Sequence, residues 1–193
     1  MTSFESVVRT TTDRLEALGA GYALVGGFAV SVRCEPRFTR DIDLAVAVPG
    51  DDSAEAVVRA LRTDGFEVFA TVEHEAGGRL AMARLALAPG DDVVDLLFAS
   101  SGIEAEIVEA ADRLDVLPGL VLPVAVTGHL IAMKLLAADS TRPQDAVDLR
   151  ALAEVAGDTD RQTARQAVGL IEARGYARGR DLTAALDDLV GRA

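Results

Sequence analysis

A single cysteine, Cys34, rules out an internal disulfide and fits a reducing, cytoplasmic setting. No histidine stands near it in sequence, so a Cys–His nucleophile has no local support and a part-buried structural thiol is expected. Histidine is nearly absent too: His74 and His129 are isolated, and neither is expected to bind a metal. No apolar run approaches the roughly 18 residues of a membrane helix. The first residues lack the charged-then-apolar pattern of a secretory signal, so no membrane association is expected. Tryptophan is missing, and two tyrosines with six phenylalanines make no base-stacking platform of the single-strand-binding kind. Bases are outnumbered, 19 against 31 acids for a net charge of −12, which disfavours broad nucleic-acid binding. Lysine is the rarest base. Lys134 stands alone among 18 arginines, and codon bias accounts for the arginines but not for the exception.

What remains is a chain that is half hydrophobic, enough for a real core in one large domain or two small ones. The charge is uneven. Residues 41–115 hold 17 acids and 5 arginines, an acidic middle suited to metal binding. Arg33, Arg37 and Arg40 lie together just before it, with Glu35 the one acid among them. Such a patch suits phosphates or an RNA backbone.

Periodicity predicts a helix over 3–18, a strand over 22–25, a tight turn at Gly26-Gly27, a helix over 28–34 and a strand over 41–48. A helix over 53–63 and strands over 66–71, 79–88 and 93–98 follow. These make a mixed α/β sheet of about five strands. After an extended stretch around 114–122, helices are expected over 124–138, 146–155, 161–174 and 182–190. The expected fold class is α/β (α+β): a mixed-sheet core over 1–120 and a helical bundle over 121–193 that closes a cleft.

Alternate residues of a strand face one side, so Asp41 and Asp43 project together while Ile42 and Leu44 point into the core. Two carboxylates this close repel unless a cation lies between them. Oxygen-only donors favour Mg²⁺ or Mn²⁺ over zinc; two solvated acids at a strand end are the plainer alternative. Asp95 is the one polar residue in Val93–Phe98, a run apolar enough to be buried on both faces. A buried carboxylate needs a partner, either a backbone group or, if its strand pairs with that of Asp41, a shared metal site. Three such acids would hold two metals for in-line phosphoryl transfer. Gly26-Gly27 before a helix would let backbone N–H groups approach a phosphate. Lys134 lies on an apolar helix from which its long stem would reach a cleft. Asp145 and Asp148 share a helix face from which one would pair with Lys134. Arg79 and Arg84 have odd spacing, so at most one lines the cleft.

Gly26-Gly27, a spacer and Asp41-Ile42-Asp43, with Asp95 on a later apolar strand, resemble the signature of the nucleotidyltransferase superfamily with the polymerase-β-like fold. A narrower resemblance covers most of the chain. Thr39-Arg40-Asp41-Ile42-Asp43, Ala132-Met133-Lys134-Leu135-Leu136-Ala137 and Arg142-Pro143-Gln144-Asp145-Ala146-Val147-Asp148-Leu149 are similar to the AbiEii-type group, which includes the MenT toxins of type IV toxin–antitoxin pairs. Gln144 departs from the lysine frequent there. The resemblance implies that Asp41, Asp43 and Asp95 bind Mg²⁺ and activate the acceptor. It implies that Gly26, Gly27, Thr39 and Lys134 contact the nucleotide, with Asp145 or Asp148 orienting Lys134 or the acceptor; Arg40, by its charge beside the acids, and Asp145 are expected nucleotide contacts too.

The resulting expectation is a cytoplasmic Mg²⁺-dependent enzyme. It moves a nucleoside monophosphate, expected to be a pyrimidine, from an NTP to an RNA hydroxyl, expected to be the tRNA 3′ end. A cognate antitoxin would be its protein partner. An aminoglycoside-type small-molecule nucleotidyltransferase is the alternative enzyme. A degenerate binding module and an antitoxin-like interaction protein are the non-enzyme alternatives, and the intact acids speak against both.

Overall fold

The computed structural model describes residues 3–34, 39–74, 78–87, 92–138 and 143–191. The expected turns at Gly77 and Pro89-Gly90-Asp91, and Arg37 and Arg142, lie outside them. The order is α1 (Phe4–Ala17), β1 (Gly21–Val25), α2 (Gly26–Arg33), β2 (Asp41–Ala47), α3 (Asp51–Thr63), β3 (Phe66–Glu73), β4 (Leu80–Leu87) and β5 (Val93–Leu97). Then come α4 (Glu104–Glu109), β6 (Asp112–Leu117), β7 (Leu120–Val124), α5 (Thr127–Ala137), α6 (Pro143–Val155), α7 (Asp158–Ala173) and α8 (Leu182–Val190).

The strands form one mixed sheet in the order β3-β4-β5-β2-β1-β7-β6. β2 runs parallel to β5 and β1 parallel to β7, and the other neighbours are antiparallel. The five strands expected in the first half are present as β1–β5, and among the described residues two more, β6 and β7, join the sheet. The extended stretch near 114–122 is a hairpin, β6–β7, turning at Pro118-Gly119, where Gly119 has φ +72°. Its return strand joins the sheet beside β1, so the expected division at 120/121 falls within β7. The short α4 had no periodic signal, because six residues make less than two turns.

Several boundaries follow from local chemistry. α6 starts at Pro143, earlier than the expected Ala146, because proline has no N–H to lose in a first turn. α3 starts at Asp51 rather than Ser53, with Asp51 and Asp52 at the positive end of its dipole. α2 starts at Gly26 itself, two residues before the expected Phe28.

One apolar cluster runs from the sheet (Leu24, Leu44, Leu96) into the later helices (Leu130, Leu152, Ile171). α5 crosses α7 at close range because Gly128 has no side chain. A Cβ there would lie 2.4 Å from the Asp160 carbonyl oxygen. Arg180 donates to the Leu135, Leu136 and Ala138 carbonyls at the end of α5, satisfying groups a helix C-terminus leaves open. Both ends of α5, the helix that carries Lys134, are thereby held.

Candidate active site

The acids assemble through strand register. Val25 of β1 pairs with Asp43 of β2, Asp43 pairs with Asp95 of β5, and Asp95 pairs with Arg84 of β4. Paired residues share a face, so one row crosses four strands: Val25, Asp43, Asp95, Arg84. Asp41 is exposed at the start of β2, Asp43 is half-buried, and Ile42 and Leu44 are fully buried on the other side. The two acids of the triplet therefore project together, as strand geometry demands.

Asp95 is buried and receives both ends of a guanidinium fork. Arg84 Nε donates to Oδ1 at 2.8 Å and Nη2 to Oδ2 at 2.6 Å. The bond to Asp95 lifts the Arg84 pKa above its already high value. Asp41, Asp43 and Asp95, the expected metal set, lie on one face of two adjacent strands. Asp95 neighbours Asp43, but both its oxygens serve Arg84. Among the described residues no group of three His, Cys, Asp or Glu side chains is arranged to hold a metal ion.

Asp43 shows what the row lacks. Burial first, then the charges of Asp95 and Asp41, push its carboxyl up to about 7, against relief from Lys134 and from the Gly27 N–H that donates to it. An acid cluster left with surplus negative charge could hold a cation. Its all-carboxylate donors fit Mg²⁺ or Mn²⁺, with Asp41 and Asp43 the residues left to hold it.

The glycines act differently from a loose phosphate loop. Gly26 has φ +63°, and a Cβ on it would stand 1.9 Å from Asp43 Oδ2. No side chain fits between the helix start and this carboxylate. α2 has no side-chain N-cap, which leaves first-turn N–H groups for an anion.

Lys134 is the second centre. Its Nζ lies 2.7 Å from Asp145 Oδ1 and 2.8 Å from Asp148 Oδ2, with all three side chains largely buried. Asp145 Oδ2 is buried with no hydrogen-bond partner. Gln144 Nε2 donates to Asp148 Oδ1 at 3.0 Å, so the residue that departs from the family pattern supports the acid rather than facing a phosphate. α2 packs on both α5 and α6, which brings this ion triplet beside the acid row.

Other expected residues divide. Thr39 is half-buried, with a long 3.5 Å contact from Oγ1 to the Asp41 carbonyl, and Arg40 is exposed beside it. Arg33 leaves the anticipated phosphate patch. Its donors go to the Ala125 and Val124 carbonyls and to Asp112, tying α2 to β6 and β7. Burial and the nearby Asp148 push the Cys34 thiol up, away from nucleophilic use. Arg84 is the site residue that sequence reasoning left out. Odd spacing predicted that at most one of Arg79 and Arg84 would line the cleft, and strand register sets Arg84 in the row.

A mixed sheet with carboxylates on adjacent parallel strands, met by a glycine-led helix, defines a nucleotidyltransferase fold. Residues 13–191 match the family described as AbiEii: nucleotidyl transferase AbiEii toxin, Type IV TA system. The chain belongs to this family. Among solved structures, it is similar to an antigenic nucleotidyltransferase-like protein from Paracoccidioides brasiliensis (TM-score 0.56, 19% identity, covering 95% of this chain and 92% of that one). It is also similar to the antibiotic-resistance factor ANT(2'')-Ia (TM-score 0.51, 20% identity, 100% of both chains). A further match is MenT4, a nucleotidyltransferase toxin from Mycobacterium tuberculosis H37Rv (TM-score 0.48, 20% identity, 86% of this chain and 63% of that one). No curated protein matched the sequence. Among the described residues, no helix is long and apolar enough to cross a membrane.

Proposed function

We propose that this chain transfers a nucleoside monophosphate from an NTP to an RNA hydroxyl, at the 3′ end of tRNA, releasing pyrophosphate, with a pyrimidine nucleotide as donor. The observation that carries the reading is the Asp43–Asp95 pair on neighbouring parallel strands, with Gly26 pressed against Asp43. Family membership supports nucleotidyl transfer and a toxin role. The tRNA end, the pyrimidine and a cytoplasmic site of action follow from the MenT-type resemblance and the single free thiol.

The chain's own residues divide the task. The uncapped start of α2 binds triphosphate oxygens through backbone N–H groups, with Thr39 and Arg40 at the entrance. Lys134, fixed by Asp145 and Asp148, adds the compact positive charge on that side. Asp41 and Asp43 would hold a divalent ion, Mg²⁺ or Mn²⁺, which supplies charge neutralisation of the phosphates when bound. Asp95 stands next in the row, where its remaining lone pairs orient the attacking hydroxyl. The helices of 121–193 close the cleft from the Lys134 side. A cognate antitoxin would restrain the enzyme, as the type IV description implies.

A second reading is transfer to a cationic aminoglycoside, favoured by the net charge of −12 and the likeness to ANT(2'')-Ia. One experiment separates the two. Each of the four labelled NTPs is incubated with the protein, Mg²⁺ and either total tRNA or an aminoglycoside. Label on tRNA from CTP or UTP is expected. Label confined to the aminoglycoside would replace the first reading with the second, and no transfer with no Mg²⁺-dependent NTP binding would refute both.

A further inference from the structure

The row across the sheet has two unlike ends. The β1 end carries Gly26, the start of α2 and, through α5 and α6, Lys134 with its two acids. These are the groups that suit a triphosphate. The β4 end carries Arg84 alone. With strands spaced about 4.8 Å apart, Arg84 starts about 10 Å from Asp43, beyond Asp95. With the triphosphate assigned to the glycine end in the reading above, the Arg84 end is the one left for the acceptor.

Arg84 is shaped for a ligand rather than only for Asp95. Its Nε and Nη2 are fixed on the buried carboxylate, yet its side chain is 45% exposed where that of Asp95 is 6% exposed. Nη1 has no hydrogen bond among the described residues. The pair is a dipole with its negative end inside and its positive end toward solvent. A guanidinium pinned along one edge has already lost its rotamer freedom, so its free N–H groups meet an oxyanion at little entropic cost. Phosphate, with oxygens matched to the fork, is the ligand such a group takes best. An ammonium group arriving at the same place would meet like charge.

We propose that Arg84 is the acceptor-side phosphate contact of this site, selecting an RNA backbone over a cationic small molecule. This deepens the nucleotidyl-transfer reading above and rests on it. The nucleotide is held at the glycine end of the row, and the RNA 3′ strand lies over Arg84, with its terminal hydroxyl at Asp95.

The test uses the full chain and 5′-labelled total tRNA, with binding followed by fluorescence anisotropy from 50 to 200 mM salt. Arg84→Gln should weaken tRNA binding roughly three- to tenfold at 100 mM salt. It should lower the slope of log K against log salt by about 0.7–0.9, one phosphate's share. Binding of a fluorescent Mg²⁺-NTP analogue should stay at the wild-type level. Asp95→Asn keeps the guanidinium but loosens its pin, so it should keep the slope and weaken tRNA binding less than Arg84→Gln does. Arg84→Gln/Asp95→Asn removes the buried charge with its partner, so it stays folded even if the single variant does not, and should bind tRNA like Arg84→Gln. Wild-type tRNA affinity and slope in the double variant would overturn the assignment, as would a loss confined to the NTP analogue. Wild-type protein that transfers label to no RNA would instead sink the underlying reading, whatever Arg84 does to binding.

Discussion

Gly26→Ala tests how the helix start and the acid row fit together. The new Cβ would stand 1.9 Å from Asp43 Oδ2, 2.4 Å from its Cγ and 2.7 Å from its Cβ, on a backbone with φ +63°. The left-handed conformation alone costs a non-glycine residue about 1–2 kcal/mol. Relieving the overlap adds about 1–3 kcal/mol, the usual range for overpacking. Together the loss should be roughly 2–5 kcal/mol, or about 4–20 °C in Tm for a domain of this size. The two parts separate in an Asp43→Ala background. That change removes the two closest contacts but leaves the backbone strain. There, Gly26→Ala should cost about 1–2 kcal/mol less, a coupling measurable by urea denaturation of all four proteins. Transfer should suffer more than stability. The carboxylate must move by more than 1 Å to clear the methyl, and a misplacement of that size costs on the order of 100-fold in rate. The same penalty in both backgrounds, or a Gly26→Ala protein with wild-type turnover, would refute the argument that Gly26 exists to admit Asp43.

The remaining expectations concern charge. Asp41→Ala should abolish transfer in the labelled-NTP assay yet shift stability by no more than about 0.5 kcal/mol, because Asp41 is exposed; retained turnover would remove it from the metal site. Lys134→Met should stop transfer and cost about 3–5 kcal/mol by stranding the buried Asp145 and Asp148. Lys134→Arg should fail in transfer too, since a planar fork does not fill a two-carboxylate seat built for a compact ammonium; a fully active Lys134→Arg would make the solitary lysine incidental. Asp43 sets a pH dependence in chelator. Its folded value of about 7 lies above its ordinary 3.8, so the folded state binds the proton more tightly. The stability this gives is present at low pH and disappears as pH rises through about 7. Between pH 5 and 8 the wild type should lose about 2–3 kcal/mol relative to Asp43→Asn. A difference between the two proteins that does not change with pH would show that Asp43 is ionised throughout.

Much of this protein is readable along the chain because its signals are local. The Asp41–Asp43 spacing needs only the two-residue period of a strand, and the Asp145–Asp148 spacing only the helical period. The apolar run around Asp95 marks a buried acid without saying whose partner it is. A helix such as α8, Leu182–Val190, is bounded as expected because it has an Asp181 cap and a clear apolar face. Strand order is different in kind. Nothing in the order of residues says that β5 lies between β2 and β4, or that the hairpin at 112–124 joins β1. Those choices come from burying both sheet faces at once, an interaction among segments far apart in sequence.

The sequence alone determined which residues are chemically unusual here: two acids on one strand face, one acid in an apolar run, one lysine among arginines. Only the tertiary structure decided who meets whom. Register set Asp95 between Asp43 and Arg84, turned Arg33 from a phosphate ligand into a clamp, and pressed Gly26 onto Asp43. The reason is physical. Alternation and helical period act over a few residues and are written in the chain. A charge's partner depends on which strands lie side by side, and only the packing of the whole sheet fixes that.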